Sequence, residues 1–247
     1  MPINKQRLYL AVLETGLAQS RQRAKALIME GKIMVNDQPV DKPGTLVSKS
    51  DNLFLKGYDI PYVSRGGLKL ESAFKAFDIN ADGFFCLDVG ASTGGFTDCL
   101  LQQGAEGVFA VDVGYGQLAW KLRQDSRVIA IERTNIRHMP LNALPCSVDL
   151  ITIDVSFISL KIVVPAVMKF MKKDAIIVAL IKPQFEVGRG KVGKGGVVRN
   201  PDLHNEVISE LTDFFIDKGF LCKSVIPSPI LGPKGNREFF IHLKMVT

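Results

Sequence analysis

The sequence predicts an α/β protein, a mostly parallel seven-stranded sheet covered by helices on both faces and preceded by a small α+β unit. Two observations carry this expectation. From about residue 84 onward, apolar runs alternate with stretches of helical periodicity, and runs that are apolar throughout belong to strands buried on both faces. Before residue 60 the segments are shorter and the charge is denser: nine Lys/Arg stand against six Asp/Glu, so this part of the 247-residue chain holds +3 of its net +6.

The elements follow in order. Leu8, Val12 and Leu13 share one face of a helical stretch that Gly16 breaks. A second stretch has Ala24, Leu27 and Ile28 on one face with Arg21, Arg23 and Lys25 beside them; Ser20 is its N-cap and Gly31 its stop. Short strands are expected at 33–35, 45–47 and 53–55, separated by turn residues Asn36-Asp37 and Lys42-Pro43-Gly44. The first domain is read as 1–60, a connector as 61–65 and the second domain as 66–247, opening with a helix over 66–77. Strands are then expected at 84–89, 108–113, 128–131, 150–154, 175–181, 223–227 and 238–244. Helices are expected near 96–103, 116–124, 160–171 and 202–218.

Composition narrows the function classes. With 47% hydrophobic and 23% charged residues the profile is that of a globular protein, which sets aside collagen-like, disordered and disulfide-scaffold readings. Cys86, Cys99, Cys146 and Cys222 are far apart and form no C-x-x-C pair, so they read as reduced thiols. His138, His204 and His242 are equally scattered, and no metal site is expected. The first residues lack the apolar core of a signal peptide, and the longest apolar runs, such as 175–181, fall far short of the roughly 18–20 residues that span a bilayer. A cytoplasmic protein is expected. Its positive charge, with a pI near 9.1, favours a polyanionic partner.

The strongest motif is Asp88-Val-Gly90-Ala-Ser92-Thr93-Gly94-Gly95-Phe96, where the first strand of the large sheet ends and the next helix begins. Ligands of open α/β sheets bind beyond the carboxyl ends of the strands, where glycines let the backbone approach them. Asp112 follows 112 − 90 = 22 residues after Gly90, a spacing at which an acidic side chain accepts hydrogen bonds from a ribose. An acidic strand tip beside the glycine loop suits S-adenosylmethionine, which carries an ammonium and no phosphate. Phosphate in a dinucleotide instead favours an uncluttered helix N-terminus. A second cluster, Gly188-Arg189-Gly190-Lys191-Val-Gly193-Lys194, has the spacing of a phosphate loop. Gly195 stands where such a loop has Ser or Thr, and no helix opens directly after it. It reads as a mobile basic loop for nucleic-acid phosphates, with Arg199 adding to its charge.

Four ionisable residues complete the pattern. Asp154 ends the fourth strand of the large sheet, Lys182 the fifth, Glu238 begins the last, and Lys69 lies on the helix before the first. A lysine aimed at a hydroxyl removes or orients its proton, and the carboxylates fix that lysine in turn.

Residues 1–60 resemble an S4 RNA-binding domain through Arg7-Leu8, Gly16-Leu17-Ala18, Ser20-Arg21, Ala24, Ile28, Gly31, Val35-Asn36 and Lys42-Pro43. Residues 64–247 resemble the FtsJ-like 2′-O-ribose methyltransferases. Ser64-Arg65-Gly-Gly-Leu-Lys69 followed by Asp88 to Asp98 is similar to the TlyA family, ribosomal RNA methyltransferases often labelled haemolysin A. The resemblance implies a Rossmann-like fold, S-adenosylmethionine as donor and ribosomal RNA or ribosomal subunits as partner. It also implies a catalytic set of Lys69, Asp154, Lys182 and Glu238, in which Lys182 acts on the ribose 2′-hydroxyl, and a connector that helps form the donor site. Arg7, Ser20, Arg21, Arg23, Lys25, Lys32, Arg65, Arg189, Lys191 and Lys194 are then the expected RNA contacts. Two other readings stay open at this point, a membrane-active haemolysin and a ribosome-binding factor with an inactive methyltransferase domain.

Overall fold

The chain divides between Asp59 and Ile60 into two units. The computed structural model describes residues 5–56 and 60–245, apart from the side chains of Arg189 and Pro233; residues 57–59, at the expected end of the first domain, lie outside the described residues.

In the first unit, β1 (Lys5–Arg7) runs into α1 (Leu8–Glu14), and α2 (Arg21–Met29) follows. Ser20 caps α2, its hydroxyl oxygen accepting the Arg23 N–H at 3.1 Å. Then come β2 (Ile33–Val35), β3 (Gln38–Pro39), β4 (Leu46–Ser48) and β5 (Leu53–Leu55). β1 pairs with β4, and β2 lies between β3 and β5. The sequence reading missed β1 and β3. Lys5-Gln6-Arg7 has no apolar residue to mark it, and its pairing comes from residues 46–48 far along the chain. β3 is two residues long and is created by the turn before it, where Asn36 and Asp37 both take positive φ, 49° and 64°, as tight hairpins require. Leu8, Val12, Ala24, Leu27, Ile28, Ile33 and Val47 form the small core.

The second unit opens on α3 (Gly66–Phe77), as expected, and continues with β6 (Phe85–Val89), α4 (Gly95–Gln102), β7 (Gly107–Val111), α5 (Trp120–Arg123) and β8 (Val128–Ile131). β9 (Val148–Ile153), α6 (Leu160–Val167), β10 (Met171–Ile181), α7 (Pro183–Glu186), α8 (Pro201–Asp217), β11 (Phe220–Pro227) and β12 (Phe239–Met245) complete it. The seven strands lie in the order β11-β12-β10-β9-β6-β7-β8. β10, β9, β6, β7 and β8 are parallel, and β12 runs antiparallel between β10 and β11. One core packs around Ile151, Ile177, Leu211 and Phe215, a second around Leu70, Leu100, Val178 and Phe240; alternate residues of a strand feed opposite faces.

Two expected helices are shorter than their periodicity suggested. The stretch 116–124 is helical only from Trp120, because its first half is tied elsewhere, Gly116 N–H to Glu132 and Ala119 N–H to the Thr93 carbonyl, and Asp112 holds the Gly114 N–H just before it. Tertiary contacts override local propensity there. The stretch 160–171 ends as an α-helix at Val167 and tightens into a 3₁₀ turn over Met168–Phe170, while Met171 already pairs with β9. At the sheet edge, β8 is half open to solvent, with Ile129 48% exposed.

Candidate active site

The parallel strands β6, β9 and β10 end side by side, and their carboxyl ends open into a cleft. Its walls are the glycine loop after β6 (Gly90, Ala91, Ser92, Thr93, Gly95, Phe96), the start of α3 (Ser64, Arg65, Gly66, Lys69), Asp154 and Lys182 at the two neighbouring strand tips, and Leu231, Gly232 and Glu238 before β12. All four ionisable residues singled out in the sequence therefore meet, although they are up to 169 positions apart.

They meet as two pairs. Lys182 Nζ lies 2.5 Å from Asp154 Oδ1 and donates to Ser156 Oγ at 3.2 Å. Lys69 Nζ donates to Glu238 Oε2 at 2.6 Å. Both lysine side chains are 11% exposed and the Glu238 side chain is fully buried, whereas Asp154 is 24% exposed. The cleft floor is thus charge-balanced, with ammonium groups already held by carboxylates. The other Glu238 oxygen, Oε1, is buried without a hydrogen-bond partner among the described residues and lies against Gly232, where a Cβ would come within 2.0 Å of it.

The glycine loop is built for close approach. Gly90 takes φ +86°, and a Cβ there would lie 2.4 Å from the Asp154 carbonyl oxygen. A Cβ on Gly95 would lie 2.2 Å from Ser64 Oγ, so the start of α3 packs on bare backbone. Gly94 faces the other way; its missing side chain makes room for Leu118 and Leu122. Residues 61–65 stand in this unit too. Tyr62 is buried over Gly67, and the Val63 N–H donates to Asp98 Oδ2 at 2.8 Å. The same Asp98 carboxylate holds Lys121 at 2.9 Å and Gln102 at 3.1 Å, and Gln102 also donates to the Pro61 carbonyl. Asp98 was not singled out from sequence; a mostly buried acid in the first turn of α4, it stitches the connector to α5.

Two expected ligand contacts are held by partners within the chain. Asp88 is fully buried behind the loop and accepts the Thr97 hydroxyl at 2.6 Å and the Thr152 hydroxyl at 3.1 Å. It braces β6, β9 and α4 from inside instead of facing a ligand, which corrects the strand-tip reading. Asp112 uses its two oxygens on the N–H groups of Ser92 (2.8 Å) and Gly114 (2.6 Å), so it shapes the glycine loop from the neighbouring strand.

Burial pushes the Asp88 pKa up to about 7, and the two hydroxyls only partly offset it. The folded protein therefore keeps a proton that the unfolded chain has released above its ordinary carboxyl pKa. Raising the pH from about 4 to about 7 lowers stability through this group, by a few kcal/mol over the interval. Asp88→Asn keeps the shape without the charge, so its melting temperature should gain on that of the wild type across this window. Parallel melting curves would contradict the assignment.

Phe157, three residues past Asp154, is the most exposed large hydrophobic residue among the described residues, at 89%, and takes φ +63°. Its ring packs on Phe185 with centroids 4.9 Å apart. Only its neighbourhood to Asp154 marks it in the sequence.

The candidate RNA contacts are distributed over both units. Arg7, Arg21 and Lys25 are exposed, Arg23 and Lys32 half-buried; Lys25 lies over the Tyr9 ring and Lys32 pairs with Glu30. Ser20 serves as the helix cap described above. Arg65 stands at the cleft itself. In the second glycine cluster Lys194 is exposed, and Lys191 pairs with Glu206 of α8. Asn236 anchors the far side of that cluster, accepting the Val198 N–H and donating to the Gly196 carbonyl, both at 3.0 Å. Among the described residues no cluster of potential ligands could hold a metal ion.

Comparison with known proteins gives the same division. The FtsJ-like methyltransferase pattern matches residues 62–245, and the S4 domain pattern residues 6–53. The 16S/23S rRNA (cytidine-2′-O)-methyltransferase TlyA of Mycobacterium tuberculosis is 47% identical over 237 residues, covering 96% of this chain and 88% of that one. Hemolysin A of Brachyspira hyodysenteriae is 42% identical over 228 residues, covering 92% and 95%. A solved Streptococcus thermophilus protein, provisionally named a hemolysin, superposes with a TM-score of 0.78 at 43% identity, over 99% of this chain and 90% of that one. With both patterns in one chain and such identity along nearly its whole length, this protein belongs to the TlyA family, an S4 domain joined to an FtsJ-like methyltransferase domain.

Proposed function

We propose that the chain methylates a ribose 2′-hydroxyl of ribosomal RNA with S-adenosylmethionine as donor. The observation that carries this is the convergence of Lys182–Asp154 and Lys69–Glu238 in one cleft beside the glycine loop. The 2′-O-methyltransferase name of the M. tuberculosis relative supports it.

The residues fit the donor. Gly90, Ser92, Thr93, Gly95 and Phe96 offer a wall of bare backbone and short polar side chains, with Gly94 and Asp112 setting its shape and Asp88 bracing it from behind. The partnerless Glu238 Oε1 is a free acceptor at the same cleft. When bound, S-adenosylmethionine supplies an electrophilic methyl group. The chain's own part is to hold and deprotonate the nucleophile. Lys182 Nζ, fixed by Asp154 and Ser156, orients the 2′-oxygen through a hydrogen bond. Asp154, the more accessible carboxylate, receives the proton that the hydroxyl must lose. Lys69 and Glu238 keep the remaining charge balanced, so no bare ion is left in a half-desolvated cleft. Such a reaction draws mainly on proximity and a correctly placed proton acceptor.

The S4 domain grips structured RNA through Arg7, Arg21, Arg23, Lys25 and Lys32, with Arg65, Arg189, Lys191 and Lys194 on the second unit; phosphate contacts of this kind weaken steeply with salt. Work on ribosomal RNA is cytoplasmic work, and among the described residues no helix is long and apolar enough to cross a membrane. Phe157 offers a nucleobase an open aromatic face beside Asp154. Its replacement by alanine should raise the RNA KM about tenfold, the loss of one stacking contact, with the donor KM unchanged. Initial rates with each substrate varied separately check this.

The assay for the function itself is transfer of labelled methyl from S-adenosylmethionine to ribosomal subunits, with nuclease mapping of the modified ribose. The hemolysin names of relatives add one control, dye leakage from liposomes, for which no effect is expected.

A further inference from the structure

Beyond the two ion pairs, one carboxylate at this end of the sheet has no part in the chemistry above. Glu186 lies at the end of α7, four residues after Lys182, and it counts in the sequence as the acidic member of a basic loop. The structure turns it inward. Its Oε2 accepts the Ser159 hydroxyl at 2.6 Å and its Oε1 the Leu160 N–H at 2.9 Å, at the start of α6. Burial raises its pKa, while the Ser159 hydroxyl, the Leu160 N–H and Lys161 pull the other way.

β9 and β10 pair in register as far as Ile153 and Ala179; past that point the sheet does not tie the loops that carry Asp154 and Lys182 to each other, and each is held from its other side, the Asp154 N–H by the Val89 carbonyl of β6 at 2.9 Å and Ile181 by its pairing with Phe239 of β12. Those loops are instead cross-linked to each other. The rungs are Lys182 to Asp154, Lys182 to Ser156, the Phe157 ring on the Phe185 ring, and Glu186 to Ser159 and Leu160. Only the last closes the far end. Ser159 already caps α6, because its Oγ accepts the Lys161 N–H at 3.0 Å, so its proton is left to point at Glu186. The carboxylate takes up the Leu160 N–H at the start of α6 as well, and in doing so joins the two loops. The left-handed Phe157 lies inside this ladder, a conformation that persists only where its surroundings hold it.

We propose that Glu186 is a positioning residue, which locks the Asp154 loop to the Lys182 segment and so sets the distance between the two groups that handle the 2′-hydroxyl. This deepens the methyltransferase reading and rests on it.

The test compares the full-length wild type with Glu186→Ala, Glu186→Gln, Ser159→Ala and the Ser159→Ala/Glu186→Ala double variant. Methyl transfer to ribosomal RNA gives kcat and both KM values, calorimetry gives donor affinity, and melting curves give folding. Glu186→Ala is expected to lower kcat about 10- to 100-fold, the penalty of a misplaced catalytic group, with donor affinity held within about twofold and RNA KM raised no further than by Phe157→Ala. Glu186→Gln, which keeps an acceptor for Leu160, recovers most of the rate. The double variant is no slower than Glu186→Ala, because both changes remove one link. A kcat that stays at the wild-type value, a parallel loss of donor affinity, or effects that multiply in the double variant overturns the proposal. Should Glu186→Ala fail to fold, Ser159→Ala decides, and an unchanged kcat there overturns it as well. A wild type that transfers no methyl to RNA is a different failure; it removes the methyltransferase reading, and this inference falls with it.

Discussion

Lys182→Ala is expected to lower kcat for methyl transfer about 10²- to 10⁴-fold, the range for removing a group that manages a proton in the transition state. The ammonium is held in a fixed place. Asp154 lies on one side at 2.5 Å and Ser156 on another at 3.2 Å, and the side chain is 11% exposed, so Nζ has little freedom left. A water molecule in its place would bring neither the charge nor the fixed direction. RNA affinity should stay near the wild-type value, since the RNA is gripped by basic residues elsewhere. Lys182→Arg should not rescue the rate, because a guanidinium is larger and presents a planar fork in place of a point donor. Single-turnover rates together with filter binding of RNA separate the two effects. A loss of RNA binding in proportion to the rate would move Lys182 from the chemistry to the grip.

The second large effect is expected at Gly90. Its φ of +86° is a left-handed conformation, and the nearest atom to an added Cβ is backbone, the Asp154 carbonyl oxygen at 2.4 Å, which cannot swing away as a side chain could. The Gly90 N–H is also committed, to the Val111 carbonyl at 2.8 Å. Gly90→Ala therefore pushes the glycine loop and the Asp154 strand tip apart. Strain and overpacking together should cost about 2–5 kcal/mol, which lowers Tm by roughly 5–15 °C in a chain of this size. Donor affinity should fall with it, because the displaced loop is a wall of the cleft. Differential scanning calorimetry and titration with S-adenosylmethionine measure both. An alanine variant with wild-type Tm and donor affinity would contradict the close approach.

Much of this site was legible in the sequence because each clue was local. Apolar runs ending in Asp154 and Lys182 mark strand tips, and parallel α/β sheets bring such tips to one edge. Asp88, by contrast, looked like a tip residue of the same kind. What turns it inward is a pair of hydroxyls, Thr97 on α4 and Thr152 on β9, and no local pattern connects residue 88 with residue 152. Glu186 was hidden for a similar reason. It reads as one charge in a basic stretch, and only the packing of α7 against the start of α6 makes it internal. The helix expected from 116 starts late because Glu132 and Thr93 claim its backbone groups from two directions, while Asp112 holds Gly114 just before it. Strand pairing of Lys5–Arg7 was equally out of reach, its partner being the distant β4.

In the proposed reaction the two lysine–carboxylate pairs beside the glycine loop ready a ribose hydroxyl for methylation. The most direct measurement follows tritiated methyl from S-adenosylmethionine into purified ribosomal subunits of a strain lacking this protein, with wild type and Lys182→Ala side by side. Label is expected on a ribose 2′-oxygen with the wild type and almost none with the variant. Label on a base, or equal incorporation by the two proteins, would contradict it.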